Sequence, residues 1–351
     1  MSPVEMAVDG VLADPLHAAR SQTGAIAYVG VDVPCDLLLA TGRVTCHLPW
    51  RADRATPVAD QWLESGFPGW ARSMIEDWAA GQFNCFEQVV FSRGEDSIQR
   101  LYYYVCELQR RGKLGGPKPI IFDIAKIPRE SSRRHTVAAV SKLARQLGID
   151  EAAMLAGMER ANGRRKLFDR IDVSREIHGS LYERVARATL FADLDSLLET
   201  AVWPTGTVNG RVLLAGSAPP DDRLHLAVER AGWTVTGEMI ERSLSRLGPQ
   251  TQSNVSNAAE AIAHQLLAKS LGPRGFGDAA AALVAAARRA RADVVLIWLT
   301  REEEALSWHV PAQRDRLAAA GIAAHFMTSR GWDATDGAMD EIQRFLENRR
   351  P

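Results

Sequence analysis

Short apolar runs recur along the chain, each followed by a loop and then by residues at helical spacing. Ala25-Ile26-Ala27-Tyr28-Val29-Gly30 leads through Val33-Pro34 into the helical Cys35-Asp36-Leu37-Leu38-Leu39-Ala40. Gln88-Val89-Val90-Phe91-Ser92 precedes a helical run over 98–111, and Pro119-Ile120-Ile121-Phe122-Asp123 follows a Gly/Pro-rich turn at 114–117. None of these runs alternates apolar with polar, so each strand is covered on both faces, as in a parallel sheet. Strands alternating with helices predict a βαβ lobe over residues 23–127.

The period changes over 128–204. No run there reads as a strand, and helices are expected over 132–147, 150–168 and 179–199. Ser131, Ser132 and Asp150 suit N-caps, and Gly148 suits a C-terminal stop. Leu181, Val185, Ala188, Leu190, Leu194 and Leu197 give the third helix one apolar face. After a linker at Trp203-Pro204-Thr205-Gly206, alternation resumes. Strands are expected at 211–216, 233–236, 293–299 and 322–326, with helices over 222–231, 277–292 and 337–348. Residues 205–351 then form a second lobe, and 1–22 an N-terminal extension.

The expected class is α/β, with two Rossmann-like (flavodoxin-like) parallel-sheet lobes flanking a helical middle region. The lobes form a weak internal duplication, visible in architecture and hardly in sequence. In such sheets ligands bind beyond the C-terminal strand ends. That points to the loops after Gly30, Phe91, Asp123, Ala215, Thr236, Leu299 and Phe326, and to the cleft between the lobes.

Composition narrows the function. A chain of 351 residues, 46% hydrophobic and 24% charged, has the balance of a globular protein. Forty-two basic side chains against forty-three acidic ones create no field for nucleic acid or an anionic membrane. The most apolar run, 294–299, falls far short of the ~20 residues that cross a bilayer. The opening MSPVEMAVDGVLADP carries early acids and no signal-like apolar run. A cytoplasmic, unanchored protein is expected. Cys35, Cys46, Cys85 and Cys106 form no CxxC pair and read as reduced, packed thiols.

Chemistry-bearing motifs are sparse. Gly216-Ser217-Ala218-Pro219-Pro220-Asp221 is a glycine-bearing turn that could seat a phosphate. It lacks GxGxxG and GK[ST], which leaves an ordinary strand-to-helix turn as the default. Arg129 with Arg133-Arg134-His135, and Arg160 with Arg164-Arg165-Lys166, offer forks for the phosphates of a coenzyme A ester. A solvated helix face explains either cluster equally well. Tyr102-Tyr103-Tyr104 reads as a half-buried aromatic patch. HExxH, GxSxG and kinase signatures are absent, and the eight histidines lack metal-ligand spacing.

Taken in order, the segments resemble the 2-hydroxyacyl-CoA dehydratase family, which includes benzoyl-CoA reductase subunits. The stretch from Tyr28-Val29-Gly30 through Val33-Pro34-Cys35-Asp36 to Thr41-Gly42 resembles the family's strand, "VP", acidic residue and small-residue-glycine helix. Phe67-Pro68-Gly69-Trp70-Ala71-Arg72-Ser73 resembles its first-cysteine loop, in which Cys precedes an Arg-Ser pair. Val89 through Ser92-Arg93-Gly94-Glu95-Asp96 to Arg100-Leu101-Tyr102 resembles its second. Glu238-Met239-Ile240-Glu241-Arg242-Ser243 is similar to its third. Ile127-Pro128-Arg129 and Leu213-Leu214-Ala215-Gly216-Ser217 are similar to its Leu-Pro-Arg and Leu-Thr-Gly-Ser segments.

The resemblance implies heterodimeric enzymes in which an ATP-driven activator delivers an electron to a coenzyme A thioester. It also implies a four-iron four-sulfur cluster on three cysteines, whose positions are here Pro68, Glu95 and Ile240. Such clusters need thiolates, which proline and isoleucine cannot supply and which a single glutamate does not replace. Cys85, before the second strand, and Cys106, on the helix after it, do not stand in for them. The tail departs too, with Asp336-Gly337-Ala338-Met339-Asp340 in place of Gly-Gln and Arg-Thr-Arg, and Ile177-His178-Gly179 replaces Ile-Ser-Gly.

The expectation is a chain with no cofactor of its own and no metal, paired with a paralogous subunit that bears the cluster. Arg72, Ser73, Arg129, Gly216 and Ser217 would contact an acyl-CoA substrate. A stand-alone acyl-CoA or metabolite-binding protein is the alternative. Glu95, Asp96 and Glu238 are the acid–base candidates should the chain be a non-redox enzyme.

Overall fold

The computed structural model describes residues 2–174, 177, 179–203, 208–240, 248–252, 255, 257–269 and 275–349. Among the described residues, eight strands build two separate sheets. In the first, β1 (Ala25–Val29), β2 (Thr45–His47), β3 (Phe86–Ser92) and β4 (Lys118–Phe122) run parallel in the order β2-β1-β3-β4. In the second, β5 (Arg211–Gly216), β6 (Thr234–Ile240), β7 (Val294–Thr300) and β8 (Ala323–Arg330) repeat it as β6-β5-β7-β8. The chain is thus an α/β protein with two parallel-sheet lobes.

The unbroken apolar runs follow from this arrangement. Successive side chains of a strand point to opposite faces. Ala25, Ala27 and Val29 of β1 enter one core, while Ile26 enters the core on the other side of the sheet. Likewise Val212 and Leu214 of β5 face one core, and Leu213 and Ala215 the other. All seven residues of β7 are buried. Each fully buried Leu, Ile or Val contributes about 1.5–3 kcal/mol, so helices on both faces are required by the sequence.

Strand β2 was not legible in the pattern. Its three residues, Thr45-Cys46-His47, are too few to show a period, and pairing with β1 defines it. The middle region is helical, with Glu130–Leu147 and Glu151–Ser174. Gly148 closes the first of these with φ +72°. Asp150 caps the second, its Oδ1 accepting from the Ala153 backbone N–H at 2.8 Å. Ser131 and Ser132 are not caps; they lie inside the first turn, and Arg129 holds the cap position.

The helix expected over 179–199 divides into Gly179–Ala188 and Asp195–Glu199. The Leu190 carbonyl is diverted to the His47 backbone N–H at 2.8 Å, and the Asp193 carboxylate accepts from the Asp195 N–H. Those bonds compete with helical ones.

Two connections tie the parts together. The helix Pro3–Ala13, started by a Ser2/Glu5 capping box, packs Val4 and Val8 against Leu167, Phe168 and Val185 of the middle region. The helix Ala258–Leu267 follows β6 in sequence yet packs in the first lobe's core with Ile26, Val90 and Ile120. Residues 204–206 of the expected linker, His178, and 241–243 of the loop after β6 lie outside the described residues. Among the described residues, no helix is long and apolar enough to cross a membrane.

Candidate functional site

The C-terminal ends of β1, β2 and β7 and the loops after β3 and β5 border a cavity of about 460 Å³. That size lies within the ~300–1,000 Å³ of small-molecule pockets. Gly30 and Glu95 reach it from the first lobe, and Ser217, Thr300 and Glu303 from the second. Arg160, Arg164 and Phe168 reach it from the middle helix, at the four-residue spacing that puts them on one helix face. Trp332, in the loop after β8, closes one side; a Cβ on Gly69 would lie 2.8 Å from its ring.

Two glycines fix the strand ends. Gly30 has φ +98°, and a Cβ there would sit 2.8 Å from both Ser92 Cβ and Ile98 Cδ1. Gly216 has φ +107°, and its Cβ would collide with the Trp298 carbonyl oxygen. Only glycine combines this backbone with that proximity. Ser217, which is buried, then clips β5 to β7. Its N–H donates to Trp298 O at 2.9 Å, and its Oγ accepts from the Thr300 N–H at 3.1 Å.

One wall is aromatic. Tyr28 meets His47 edge-on at 5.1 Å between ring centroids, and His47 meets Trp50 edge-on at 5.4 Å. The His47 ring lies between Leu48 O, 2.8 Å from Nδ1, and the Gly30 N–H, which donates to Nε2 at 3.4 Å. In this arrangement Nδ1 faces an acceptor and Nε2 a donor. Trp50 also crosses between the lobes, donating from Nε1 to Pro220 O at 2.8 Å.

The opposite side carries charge. The Arg164 Nε donates to both Asp195 oxygens at 2.9 and 2.8 Å, and its NH2 lies 3.2 Å from Asp193. Arg160 NH1 donates to Leu39 O at 3.0 Å. Burial raises the Glu303 pKa, and the neighbouring Glu302 raises it further. Cys35 faces the cavity at the start of the helix Cys35–Ala40, and burial raises its thiol pKa.

Behind the wall lies a buried ionic cluster. Arg165 donates to Asp36 through NH1 at 3.1 Å and NH2 at 2.6 Å, and the Thr251 hydroxyl donates to the same carboxylate at 2.7 Å. Lys126 lies 2.8 Å from Asp32, and both are buried. Burial lowers the Lys269 pKa to about 8.

The residues singled out from sequence fall into separate places. Pro68 and Glu95 line the cavity as the caps of the helices Gly69–Ala79 and Asp96–Arg110. Ile240 is 1% exposed in the second lobe's core, opposite Gly216. Ser217 lines the cavity, with Gly216 directly before it. Asp96 is exposed beside Glu95 and is not among the lining residues. The Glu238 carboxylate is buried inside the second lobe, 2.8 Å from the fully buried His225.

Arg72 is engaged elsewhere, with Asp60 and the carbonyls of Phe67 and Glu64. Ser73 is buried and accepts from the Arg51 N–H at 2.8 Å. Arg129 is exposed at the start of its helix. The basic run at 160–166 splits three ways: Arg160 and Arg164 face the cavity, Arg165 faces the core, and Lys166 faces solvent. The i, i+4 spacing of Arg160 with Arg164 is the sequence signal that separates them. Glu303 and Trp332 carry no such signal, since loops bring them to the wall.

The donor set does not fit a thiolate-held cluster, which requires several converging cysteines. Of the four cysteines, Cys35 alone is among the lining residues, while Cys46 is buried in the first lobe. Among the described residues, no group of three or more His, Cys, Asp or Glu side chains could hold a metal ion.

A two-lobed parallel α/β protein with its pocket at the facing strand ends is the class that fold and site define. Residues 30–348 match the model of the 2-hydroxyglutaryl-CoA dehydratase D-component family. The chain belongs to that family. No curated protein gives a significant match.

Proposed function

We propose that this chain is a dehydratase-type subunit without an iron–sulfur cluster of its own, which pairs in the cytoplasm with a cluster-bearing paralogue. Its interlobe cavity holds the acyl end of a coenzyme A thioester. The make-up of the cavity wall supports this most directly. Pro68 and Glu95 stand at the two helix starts where the resemblance puts thiolates, and Cys35 is the one cysteine on the wall. The remaining surface, with Trp50, Trp70, Trp332, Phe168, Leu38 and Met74, suits an acyl group.

The electron step belongs to the partner on this reading. The chain's own residues bind, orient and exclude water. Ser217 holds the strand ends in register, the aromatic wall keeps the acyl group dry, and the phosphates of the ligand remain outside the cavity, near the exposed Arg160.

Three measurements test the reading. Iron and acid-labile sulfide, assayed after anaerobic purification, are expected well below one cluster per chain; stoichiometric amounts would overturn it. Co-expression with a cluster-bearing paralogue should yield a complex on affinity capture. Coenzyme A esters should raise the melting temperature of the chain or of that complex. A chain that never captures a paralogue and still gains stability from the esters is instead a stand-alone acyl-CoA or metabolite-binding protein.

A further inference from the structure

The turn beyond the end of β7 is held from three directions. The Thr300 N–H donates to Ser217 Oγ in the loop after β5 at 3.1 Å, and the Arg301 N–H donates to the Arg330 carbonyl of β8 at 3.0 Å. The Glu303 N–H closes the turn on the Thr300 carbonyl at 3.2 Å. Glu303 thus lines the cavity from a backbone that is fixed in advance of any ligand.

Several polar side chains of the wall are already engaged. Trp50 Nε1 donates to the Pro220 carbonyl, Ser217 Oγ accepts from Thr300, and Arg164 is held by Asp193 and Asp195. The Glu303 carboxyl differs: among the described residues, no hydrogen bond or ion pair engages it. Burial favours its uncharged form, and so does the neighbouring Glu302. On β8, beside the turn, Arg330 is taken up by Glu341 and Asp336. Across the cavity stand Glu95, Cys35 and His47 of the first lobe, and Arg160 and Arg164 of the middle helix with Asp193. An uncharged carboxyl has one O–H to donate. A ligand that fills the cavity expels the water around that O–H, and must bring an acceptor or leave the donor unpaired.

We propose that Glu303 recognises the thioester carbonyl of the ligand, donating a hydrogen bond from its carboxyl to the carbonyl oxygen. This deepens the acyl-CoA reading above and rests on it. In an aliphatic coenzyme A thioester the carbonyl oxygen is the acceptor that enters with the acyl group, since the hydrocarbon chain offers none. The contact exists while Glu303 is protonated and is lost as pH rises through its pKa, because a carboxylate has only lone pairs to set against those of the carbonyl.

The test compares butyryl-CoA with S-butyl-CoA, a thioether in which a methylene replaces the carbonyl. Dissociation constants are measured from about pH 5 to about pH 9, a range that spans a carboxyl raised by burial, on the full chain and on the complex if a paralogue co-purifies. Titration of the coenzyme A phosphates is common to both compounds and cancels in their ratio. At the acid end the thioester should bind about three- to tenfold more tightly, the worth of one neutral hydrogen bond, and the preference should fade toward the alkaline end. Glu303→Gln, whose amide donates without titrating, should keep the preference at every pH. Glu303→Leu should abolish the preference and still bind the thioether, which shows that it is folded. No preference at the acid end, a pH dependence that persists in Glu303→Gln, or a preference that survives in Glu303→Leu overturns the proposal and leaves the acyl-CoA reading in place. Binding of neither compound, to chain or complex, removes the acyl-CoA reading and this inference with it.

Discussion

The two lobes share one strand order and one glycine position, yet they fix their cavity-facing ends by different means. In the first lobe buried charge does it. Asp32 pairs with Lys126, and Asp36 is gripped by Arg165 and Thr251, which joins the helix after β1 to the middle helix and to the segment at 248–252. In the second lobe the backbone does it, through Gly216 against the Trp298 carbonyl and the Ser217 clip onto β7. Charge in a dry interior is unforgiving, because losing one partner strands the other, whereas a backbone clip is lost in smaller steps.

Breaking the charged side should therefore have the largest effect. Asp36→Ala leaves the Arg165 guanidinium, 2% exposed, without its carboxylate, and should cost about 3–5 kcal/mol in urea unfolding. Replacing both residues by apolar ones of similar volume should recover much of that loss. A cost below about 1 kcal/mol would mean that the first lobe's end is held by packing instead, since surface pairs are worth that little.

Lys269 extends the comparison to pH. Its pKa is lowered from 10.5 to about 8, chiefly by burial, so between those values the unfolded chain binds more protons than the folded one. Stability from this residue is least below pH 8, where both states are protonated, and grows as pH rises toward 10.5. The gain is at most about 3 kcal/mol. Unfolding free energies at pH 7 and pH 10 should rise more in the wild type than in Lys269→Met. Parallel changes in the two proteins would place Lys269 in contact with water.

How much of this was readable in the sequence follows the same division. Seven strands were legible in the sequence, most plainly central β7, where burial on both faces demands the unbroken apolar run Val294 to Leu299. Gly216-Ser217 was likewise visible as a turn after a strand. The charged side was not. Arg165 sits in a basic run that reads as a solvated face, and its partners Asp36 and Thr251 lie 129 and 86 residues away. No local pattern encodes such pairs. Pro68 was placed at the cavity by resemblance alone, whereas Glu95 also lies in the loop after Phe91 to which the strand-end rule points. Glu238 looks like a loop acid in sequence but is paired with His225 in the second lobe's interior.

The paired glycines separate the lobes more finely. Gly30→Ala and Gly216→Ala each impose a positive φ on a residue with a Cβ, at a cost of about 1–3 kcal/mol. At Gly30 the obstacles are the Ser92 and Ile98 side chains, and the Ile98 methyl can rotate aside. At Gly216 the obstacle is a backbone carbonyl that also receives the Ser217 N–H. Gly216→Ala should accordingly be the more destabilising by about 1 kcal/mol or more. Equal losses would show that the strand ends yield alike and that the asymmetry is confined to charge.

The smallest effect is expected at Ser217. Its Oγ is the acceptor for the Thr300 N–H, a donor at the buried end of β7. Ser217→Ala removes that acceptor and leaves the donor without its partner, while the Ser217 backbone bond to Trp298 O survives. The expected loss is about 1 kcal/mol, the lower end for a buried group left unpaired, because half of the clip remains. The variant should also loosen the loop that begins at Thr300 and carries Glu303. If Ser217 orders that loop, the Thr300 amide should exchange its hydrogen faster in Ser217→Ala than in the wild type, while amides in the middle of β7 keep their protection. Faster exchange along the whole strand would instead make Ser217 a support for the sheet as a unit, and the second lobe would then resemble the first, failing all at once when one contact is removed.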